Sequence, residues 1–247
     1  MQVPDYAQPF HAGDGPTAVL FCHGFTASPW TMLEWAKATA AAGHRVAVPR
    51  LPGHGTSWQE LNATDWRDWY ACVEREFRAL VAEADQVFVA GLSMGGALAL
   101  RLAAHYRDQV AGIALVNPAV LAYPKDRMAV PLSAVIRSVK GIGSDIARPD
   151  VDERAYDRTP VRAAASMMRM WTDVRATLDL VICPTLIFRS AVDHVVPAAS
   201  TQFILNHISS EEITEQVLTR SYHVATMDYD AEQIVTGTLN FIAAHSG

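Results

Sequence analysis

Short apolar runs rich in β-branched residues recur along the chain, and segments with helical spacing separate them. The runs show little polar alternation, which is typical of strands that are buried on both faces of a sheet. We predict such strands at residues 17–22, 45–50, 86–91, 112–117 and 184–190, with residues 214–219 as a last strand.

The segment 65–83 has the clearest helical pattern. Its apolar residues recur mostly at steps of three and four, and Thr64 and Asp65 supply a predicted N-cap. Residues 203–207 and 231–244 show further helical patterns. Strands that alternate with helices predict right-handed crossovers, and therefore an α/β fold with a mostly parallel sheet that helices cover on both faces.

The alternation stops after Asn117. Residues 118–177 contain Pro124, Pro131, Pro149 and Pro160, helix-like pieces and no strand pattern. Long insertions of this kind usually carry function. We expect one domain over residues 1–247, in which residues 118–177 form a helical cap over the strand ends.

Composition and charge narrow the range of functions. Of the 247 residues, 50% are hydrophobic and 19% charged, which excludes a disordered chain. The net charge of −6 makes a nucleic acid an unexpected partner. Cys22, Cys72 and Cys183 are too few and too widely spaced for a disulfide framework or a zinc site, so we expect core thiols. No signal peptide or membrane span is evident, which predicts a cytoplasmic protein.

The most specific motif is Gly91-Leu-Ser93-Met94-Gly95, between a predicted strand and a predicted helix. A nucleophile on such a sharp turn needs neighbours almost without side chains two positions before and after it, and both positions are glycine. The helix that begins at Met94 directs its positive end at the reacting oxygen. Ser93 is therefore the candidate nucleophile.

A serine nucleophile needs a histidine base, and for turns of this kind the order along the chain is serine, acid, histidine. His223 follows the last predicted strand on a loop that can reach Ser93, so we select it as the base. His194 is adjacent to Asp193, and we expect it to support the catalytic residues or to lie at the surface and not to act as the base. His207 and His245 are expected at the surface.

The histidine needs a carboxylate that holds its tautomer. Asp193 follows the strand at 184–190, so neighbouring strand ends would present it and His223 to one point. The other candidates fit less well: Asp179 precedes that strand, Asp173 lies in the cap, and Asp228 and Asp230 follow His223 as expected helix N-terminal charges.

Ester cleavage through a serine also needs main-chain N–H donors for the oxyanion. Met94 supplies one, as the residue after the nucleophile. The loop after the first predicted strand, His23-Gly24-Phe25, supplies the other, with the Phe25 N–H as candidate and His23 as a brace.

With these residues in place, the chain resembles the α/β-hydrolase superfamily over essentially its whole length. Pro52-Gly-His-Gly55 is a further pattern common in that superfamily. Within it the chain most resembles bacterial monoacylglycerol lipases and related small carboxylesterases, and the resemblance to the lipases is densest in Ile142-Gly-Ser-Asp145, Arg148-Pro-Asp-Val151, Thr159-Pro160, Asp193-His-Val-Val-Pro197 and Ser221-Tyr-His-Val-Ala-Thr226. Only residues 1–16 precede the first buried strand. The two antiparallel strands that begin larger members therefore cannot both be present.

The resemblance implies an apolar acyl tunnel under the cap and a polar end that receives glycerol. It places Glu153 as a carboxylate that faces glycerol hydroxyls, and Ile142 as a substrate-binding residue. The other cap residues expected along the tunnel are Met128, Val130, Leu132, Val135 and Ile136.

The resulting hypothesis is a serine hydrolase that cleaves monoacylglycerols to glycerol and fatty acid through an acyl-enzyme, without a metal or an organic cofactor. The partner expected is a lipid ester, with a transient contact of the cap with a membrane surface. A carboxylesterase for short or medium acyl chains is the alternative enzyme. A ligand-binding protein of this fold without catalysis is the alternative from another class. Ser93 argues against dehalogenases and epoxide hydrolases, which use an aspartate nucleophile.

Overall fold

A seven-stranded sheet organises the part of the chain that the computed structural model describes, which is residues 2–123, 131 and 133–246. The strands, in chain order, are β1 (Phe10–Ala12), β2 (Thr17–Cys22), β3 (Arg45–Val48), β4 (Gln86–Leu92), β5 (Val110–Val116), β8 (Thr185–Ser190) and β9 (Ile213–Leu218). Two further short strands, β6 (Ser138–Lys140) and β7 (Arg158–Pro160), form a separate pair between β5 and β8.

The strands of the main sheet lie in the order β1-β3-β2-β4-β5-β8-β9. All neighbours are parallel except β1, which pairs with β3 in antiparallel orientation. The six strands predicted from the sequence are confirmed. A single antiparallel strand precedes them, which agrees with the short N-terminal segment.

Helices cover both faces of this sheet. They are α1 (Leu33–Ala41), α2 (Trp58–Leu61), α3 (Trp66–Val81), α4 (Met94–His105), α5 (Val161–Arg175), α6 (Ala199–Leu205) and α7 (Ala231–His245). One buried cluster joins α3, α4 and α5 to the sheet, and a second joins α1 and α7 to its other face. The α/β fold predicted from the alternating pattern is therefore confirmed.

The predicted N-cap of α3 is present. The Asp65 carboxylate accepts the Arg67 N–H at 2.7 Å, and the Asp68 carboxylate accepts the Asp65 N–H at 2.9 Å. These bonds satisfy donors that the first helical turn leaves without carbonyl partners. The three cysteines are buried and free, as expected for core thiols.

The inserted segment contains strands, and here the sequence-based expectation is wrong. β6 and β7 pair in antiparallel register from Ser138 opposite Pro160 to Lys140 opposite Arg158. Each has three residues, too few to show the alternation on which a strand prediction depends. Helix α5 follows and packs on the body of the protein, where Asp173 pairs with Arg101 at 2.7 Å.

The turn from β4 into α4 has an unusual backbone. Ser93 has φ 56° and ψ −116°, a conformation that residues with a side chain rarely adopt. Space around the turn is equally restricted. A Cβ on Gly91 would lie 2.4 Å from the Gly95 carbonyl oxygen, and one on Gly95 would lie 1.9 Å from the Cys22 carbonyl oxygen. The two glycines are therefore required by packing of backbone on backbone.

The strand register places the segments around Ser93 level with each other. Cys22 of β2 lies opposite Gly91 of β4, so the chain two residues further brings Gly24 beside Ser93. The last pairs of β8 and β9 are likewise level, with Ser190 opposite Leu218. The loops after β2, β4, β8 and β9 thus open at one edge of the sheet.

Among the helices in the described ranges, none is both long and apolar enough to cross a membrane. The expected cytoplasmic location stays a prediction.

Gly95→Ala tests the packing of this turn. Its Cβ would overlap the backbone at Cys22 and His23, so we expect the free energy of unfolding to fall by about 3 kcal/mol or more. Gly24→Ala is the matched control, because a Cβ there would meet Ser93 at an ordinary 3.6 Å. Denaturant unfolding of both variants checks this. An equal loss of stability in the two would contradict the explanation.

Candidate active site

A cavity of about 350 Å³ opens at the carboxyl edge of the sheet, where the Ser93 turn lies. Ser93 and His223 both line it, together with Gly24 and Phe25 of the β2 loop and Glu153 from the inserted segment. Five residues from four separate parts of the sequence thus meet in one pocket. Ligand sites of open α/β sheets lie at this edge.

Main-chain hydrogen bonds hold Ser93 in its unusual conformation. Its N–H donates to the Val116 carbonyl at 3.0 Å, and its carbonyl accepts the N–H groups of Gly96 at 3.0 Å and Ala119 at 3.1 Å. β5 and α4 therefore both hold the turn. The Ser93 side chain is left to face the pocket.

His223 and Asp193 form a buried pair. The His223 Nδ1 lies 2.8 Å from the Asp193 Oδ2, and because a carboxylate accepts, Nδ1 carries the proton. The other carboxylate oxygen, Oδ1, accepts the N–H groups of Val195 at 2.8 Å and Val196 at 2.7 Å. Asp193 is thereby locked in place, and Nε2 is the ring nitrogen of His223 that remains to take up a proton.

The electrostatics of this pair favour a charged imidazolium. Burial disfavours charge on His223, but the charge and hydrogen bond of Asp193, with the charges of Glu153 and Asp145, outweigh it and raise the pKa of His223 above its ordinary 6.5. Burial likewise disfavours the charged form of Asp193, but His223 and the two N–H donors lower the pKa of Asp193 overall. The pair can therefore accept a proton at Nε2 and stabilise the resulting charge.

Asn117 braces the loop that carries His223. It has φ 45°, and its buried side chain extends from the end of β5 to two neighbouring loops. The amide nitrogen donates to the His223 carbonyl at 2.8 Å, and the amide oxygen accepts the Ser190 N–H at 2.7 Å. Sequence reasoning assigned this residue no role, because a single Asn at a strand end carries no distinctive pattern.

Met94 and Phe25 are the predicted oxyanion donors, and that role stays a prediction. Met94 is the first residue of α4, so the helix offers its main-chain N–H no carbonyl partner. Phe25 lines the cavity beside Gly24, whose hypothetical Cβ would be 3.6 Å from the Ser93 Cβ.

His23 supports the Phe25 loop from below. Its Nδ1 donates to the Gly24 carbonyl at 3.0 Å, and its Nε2 accepts the Leu51 N–H at 3.2 Å. Burial lowers the pKa of His23 to about 4, so the ring stays neutral and keeps both bonds near neutral pH. This arrangement agrees with the bracing role expected from the sequence.

Glu153 lines the cavity and is only 8% exposed. Burial raises the pKa of its carboxyl to about 7. His223 lowers this pKa, and the negative charges of Asp152 and Asp145 raise it. The next residue, Arg154, has φ 56° and lies over the rings of Tyr6 at 4.7 Å and Trp30 at 4.6 Å. This stack anchors the segment from which Glu153 reaches the cavity.

The apolar walls differ in part from those expected. Ile142 lines the cavity, as predicted, but Val135 is 80% exposed and neither it nor Ile136 contributes to the walls. Met128, Val130 and Leu132 lie outside the described residues. Helix α5 supplies apolar wall residues instead, namely Val161, Ala164, Met167, Met168 and Trp171.

The spacing of the α5 wall residues was a usable signal. Val161, Ala164, Met168 and Trp171 follow one another at steps of three or four and so share one helix face. Nothing in the sequence showed that this face borders a cavity and not the core.

The structure separates the rival acids from His223. Asp173 pairs with Arg101, and Asp230 accepts the Arg220 N–H at 2.9 Å. Asp228 is fully buried and accepts four main-chain N–H groups, which come from Ala147, Arg148, Tyr222 and Tyr229. The expectation that Asp228 is a helix N-terminal charge is therefore wrong: it ties the inserted segment to the His223 loop.

The other histidines downstream of Ser93 bind groups other than Asp193. His194 is largely exposed and pairs with Asp145 at 2.8 Å. His207 lies just past α6 with its ring on the Phe203 carbonyl, and His245 ends α7 beside Glu212.

Comparison with known proteins identifies relatives over the whole chain. The model of the family described as serine aminopeptidase, S33, matches residues 15–230. The thermostable monoacylglycerol lipase of Bacillus sp. (strain H-257) is 42% identical over 98% of this chain and 96% of that protein. The carboxylesterase of Bacillus subtilis (strain 168) is 24% identical over 95% of this chain and 96% of that protein.

A solved structure shows the same arrangement. The structure reported for LipS and LipT, two metagenome-derived lipolytic enzymes, superposes with a TM-score of 0.96 at 39% identity and covers 99% of this chain and 100% of that chain. Fold, family model and relatives agree: the chain belongs to the serine aminopeptidase S33 family of the α/β-hydrolase superfamily.

Proposed function

We propose that this protein is a serine hydrolase that cleaves the ester bond of monoacylglycerols and releases glycerol and a fatty acid. The observation that carries the proposal is one cavity lined by Ser93 and by a histidine that is paired with a buried carboxylate. The same cavity is lined by apolar side chains of α5 and by the carboxyl group of Glu153. The 42% identity to a monoacylglycerol lipase over nearly the whole chain supports the lipid substrate. The family description names a peptidase, but this full-length relative is the more specific guide.

In the proposed mechanism, the Ser93 Oγ attacks the ester carbonyl while His223 Nε2 takes its proton. The Phe25 and Met94 N–H groups hold the oxyanion, and the N-terminal end of α4 favours its negative charge. His223 then passes the proton to the glycerol oxygen, which leaves. A water molecule repeats these steps on the acyl-enzyme and frees the fatty acid.

The lining of the cavity provides groups that suit both parts of the proposed substrate. Met167, Met168 and Trp171 offer apolar surface that suits an acyl chain, since burial of apolar area is the main source of affinity for such a ligand. Glu153 also lines the cavity, and in this proposal its carboxyl accepts hydrogen bonds from glycerol hydroxyls. A carboxylesterase of broader specificity would need the same catalytic residues but no such contact.

We extend the proposal to the cap and to membrane contact. Residues 118–177 would act as a cap inserted into a single domain, and its surface would touch a lipid layer transiently. Val135, Val139 and Ile142 are 80%, 43% and 69% exposed, and Arg137 and Lys140 lie among them in the sequence. Apolar side chains beside cations suit the surface of an anionic membrane.

Ser93→Ala should abolish ester hydrolysis and leave the fold intact, since one oxygen is removed beside a cavity. Residual activity should be below about one hundredth of the wild-type value, because a serine that acts within a triad carries far more of the rate than that. Hydrolysis of 1-monolauroylglycerol and thermal unfolding measure the two effects. Higher residual activity in the folded variant would place the nucleophile elsewhere.

The pH dependence should follow His223. The base must be neutral to accept the Ser93 proton, and its pKa is raised, so kcat/KM should fall on the acid side with a midpoint above pH 6.5. Glycerol release from 1-monolauroylglycerol, quantified after the reaction is stopped at each pH, measures this without depending on the ionisation of either product. Full activity that persists to about pH 4 would contradict a histidine base.

Glu153→Gln separates a monoacylglycerol lipase from a general esterase. A charge-assisted hydrogen bond contributes about 1.5–3 kcal/mol, part of which water replaces, so kcat/KM for 1-monolauroylglycerol should fall severalfold or more when measured above the Glu153 pKa of about 7, where the carboxylate is charged. Hydrolysis of p-nitrophenyl laurate has the same acyl chain but no glycerol, and it should be largely spared. Equal losses on both esters would mean that Glu153 supports the cap structurally.

A further inference from the structure

Asp145, which lies in the inserted segment, contacts two of the loops that form the active site. Its side chain is only 12% exposed. Its Oδ2 accepts the main-chain N–H of His194 and that of His223, both at 3.2 Å. Its Oδ1 lies 2.8 Å from the His194 Nδ1, and its own carbonyl accepts the Val224 N–H at 3.1 Å.

These donors belong to the two segments that the proposed mechanism needs in register. His194 follows Asp193 directly, and His223 is the base itself. A single carboxylate oxygen therefore spans the acid loop and the base loop. We propose that Asp145 is a positioning residue, which holds the His223 loop against the Asp193 loop in the orientation needed for proton transfer with Ser93.

The segment that carries Asp145 is itself anchored to the base loop. Asp228 accepts the N–H groups of Ala147 and Arg148 at 2.7 and 3.1 Å, and that of Tyr222 at 2.9 Å. Hydrogen bonds of Asp145 and Asp228 thus join residues 145–148 to the main chain at residues 222–224. The position of Asp145 is set by the protein before substrate arrives, which suits a positioning role.

The charge of Asp145 acts on His223 as well. The charges of Asp193, Glu153 and Asp145 act on the imidazole, and all three raise the pKa of His223 against the effect of burial. The His194 ring lies against Asp145 on the side that is open to solvent. Asp145 therefore has two effects, the hydrogen bonds that it accepts and the charge that it carries.

Two substitutions separate these effects. Asp145→Ala removes both the acceptors and the charge. Asp145→Asn removes the charge alone, because one amide oxygen in the place of Oδ2 can accept both N–H groups while the amide nitrogen donates to a neutral His194 ring. Asp150→Ala and Asp150→Asn are matched controls, since Asp150 is an exposed carboxylate in the same segment.

The experiment rests on the proposed ester hydrolysis and measures kcat and KM for 1-monolauroylglycerol and p-nitrophenyl laurate. Asp145→Ala should lower kcat about tenfold or more on both esters with little change in KM, because small misplacements of a catalytic group cost factors of this size. Asp145→Asn should keep a kcat close to that of the wild-type protein. Its acid limb in kcat/KM should move to lower pH, since a negative charge that favours imidazolium is gone.

The outcomes are distinct from those that test the function. A loss in kcat below about threefold for Asp145→Ala, or a loss matched by Asp150→Ala, would overturn the positioning role while ester hydrolysis stands. If Asp145→Ala fails to fold, Asp145→Asn decides. A tenfold loss of kcat in Asp145→Asn, or an acid limb of its kcat/KM profile that coincides with that of Asp150→Asn, would overturn the inference. Absence of ester hydrolysis in the wild-type protein would instead overturn the proposed function.

Discussion

The backbone of Ser93 is the constraint on which the rest of the site depends. A residue with φ 56° between a central strand and a buried helix is stable only if its neighbours leave room, and Gly91 and Gly95 do so. Because these glycines have no side chains, α4 can pack directly against the end of β2. That close packing in turn brings Gly24 and Phe25 beside Ser93. One strained residue thus determines where the Ser93 side chain, the N-terminus of α4 and the loop after β2 lie.

Buried carboxylates and an amide organise the other half of the site. Asp145 and Asp228 accept main-chain N–H groups from segments that are distant in the sequence, and Asp193 accepts two from its own loop. Asn117 ties the His223 loop and the end of β8 to β5. Each such group replaces water with a fixed hydrogen-bond partner, which rigidifies otherwise irregular chain. The inserted segment is joined to the His223 loop by the same bonds. A residue of that segment can therefore influence the base without touching substrate.

The fold was predictable because its strands are buried on both faces and its helices are amphipathic, and both patterns are local. The sharp turn at Ser93 was predictable because steric demand at such a turn selects glycines at fixed spacing, and the role of Ser93 as nucleophile stays a prediction. β6 and β7 were missed because three residues show no period. The part played by α5 in the cavity wall, and the bracing by Asn117, Asp145 and Asp228, depend on contacts between segments up to 106 residues apart. Such contacts arise only when the chain is folded, and a single sequence carries no record of them.

The central claim is that the folded protein activates Ser93 and no other residue as a nucleophile. Reaction with a long-chain alkyl fluorophosphonate, followed by mass spectrometry of the digested protein, tests it most directly. We expect a single adduct on the peptide that contains Ser93, formed by the folded protein and not after thermal unfolding, since an unactivated serine hydroxyl is a weak nucleophile. An adduct on another residue, or no reaction of the folded protein, would contradict it.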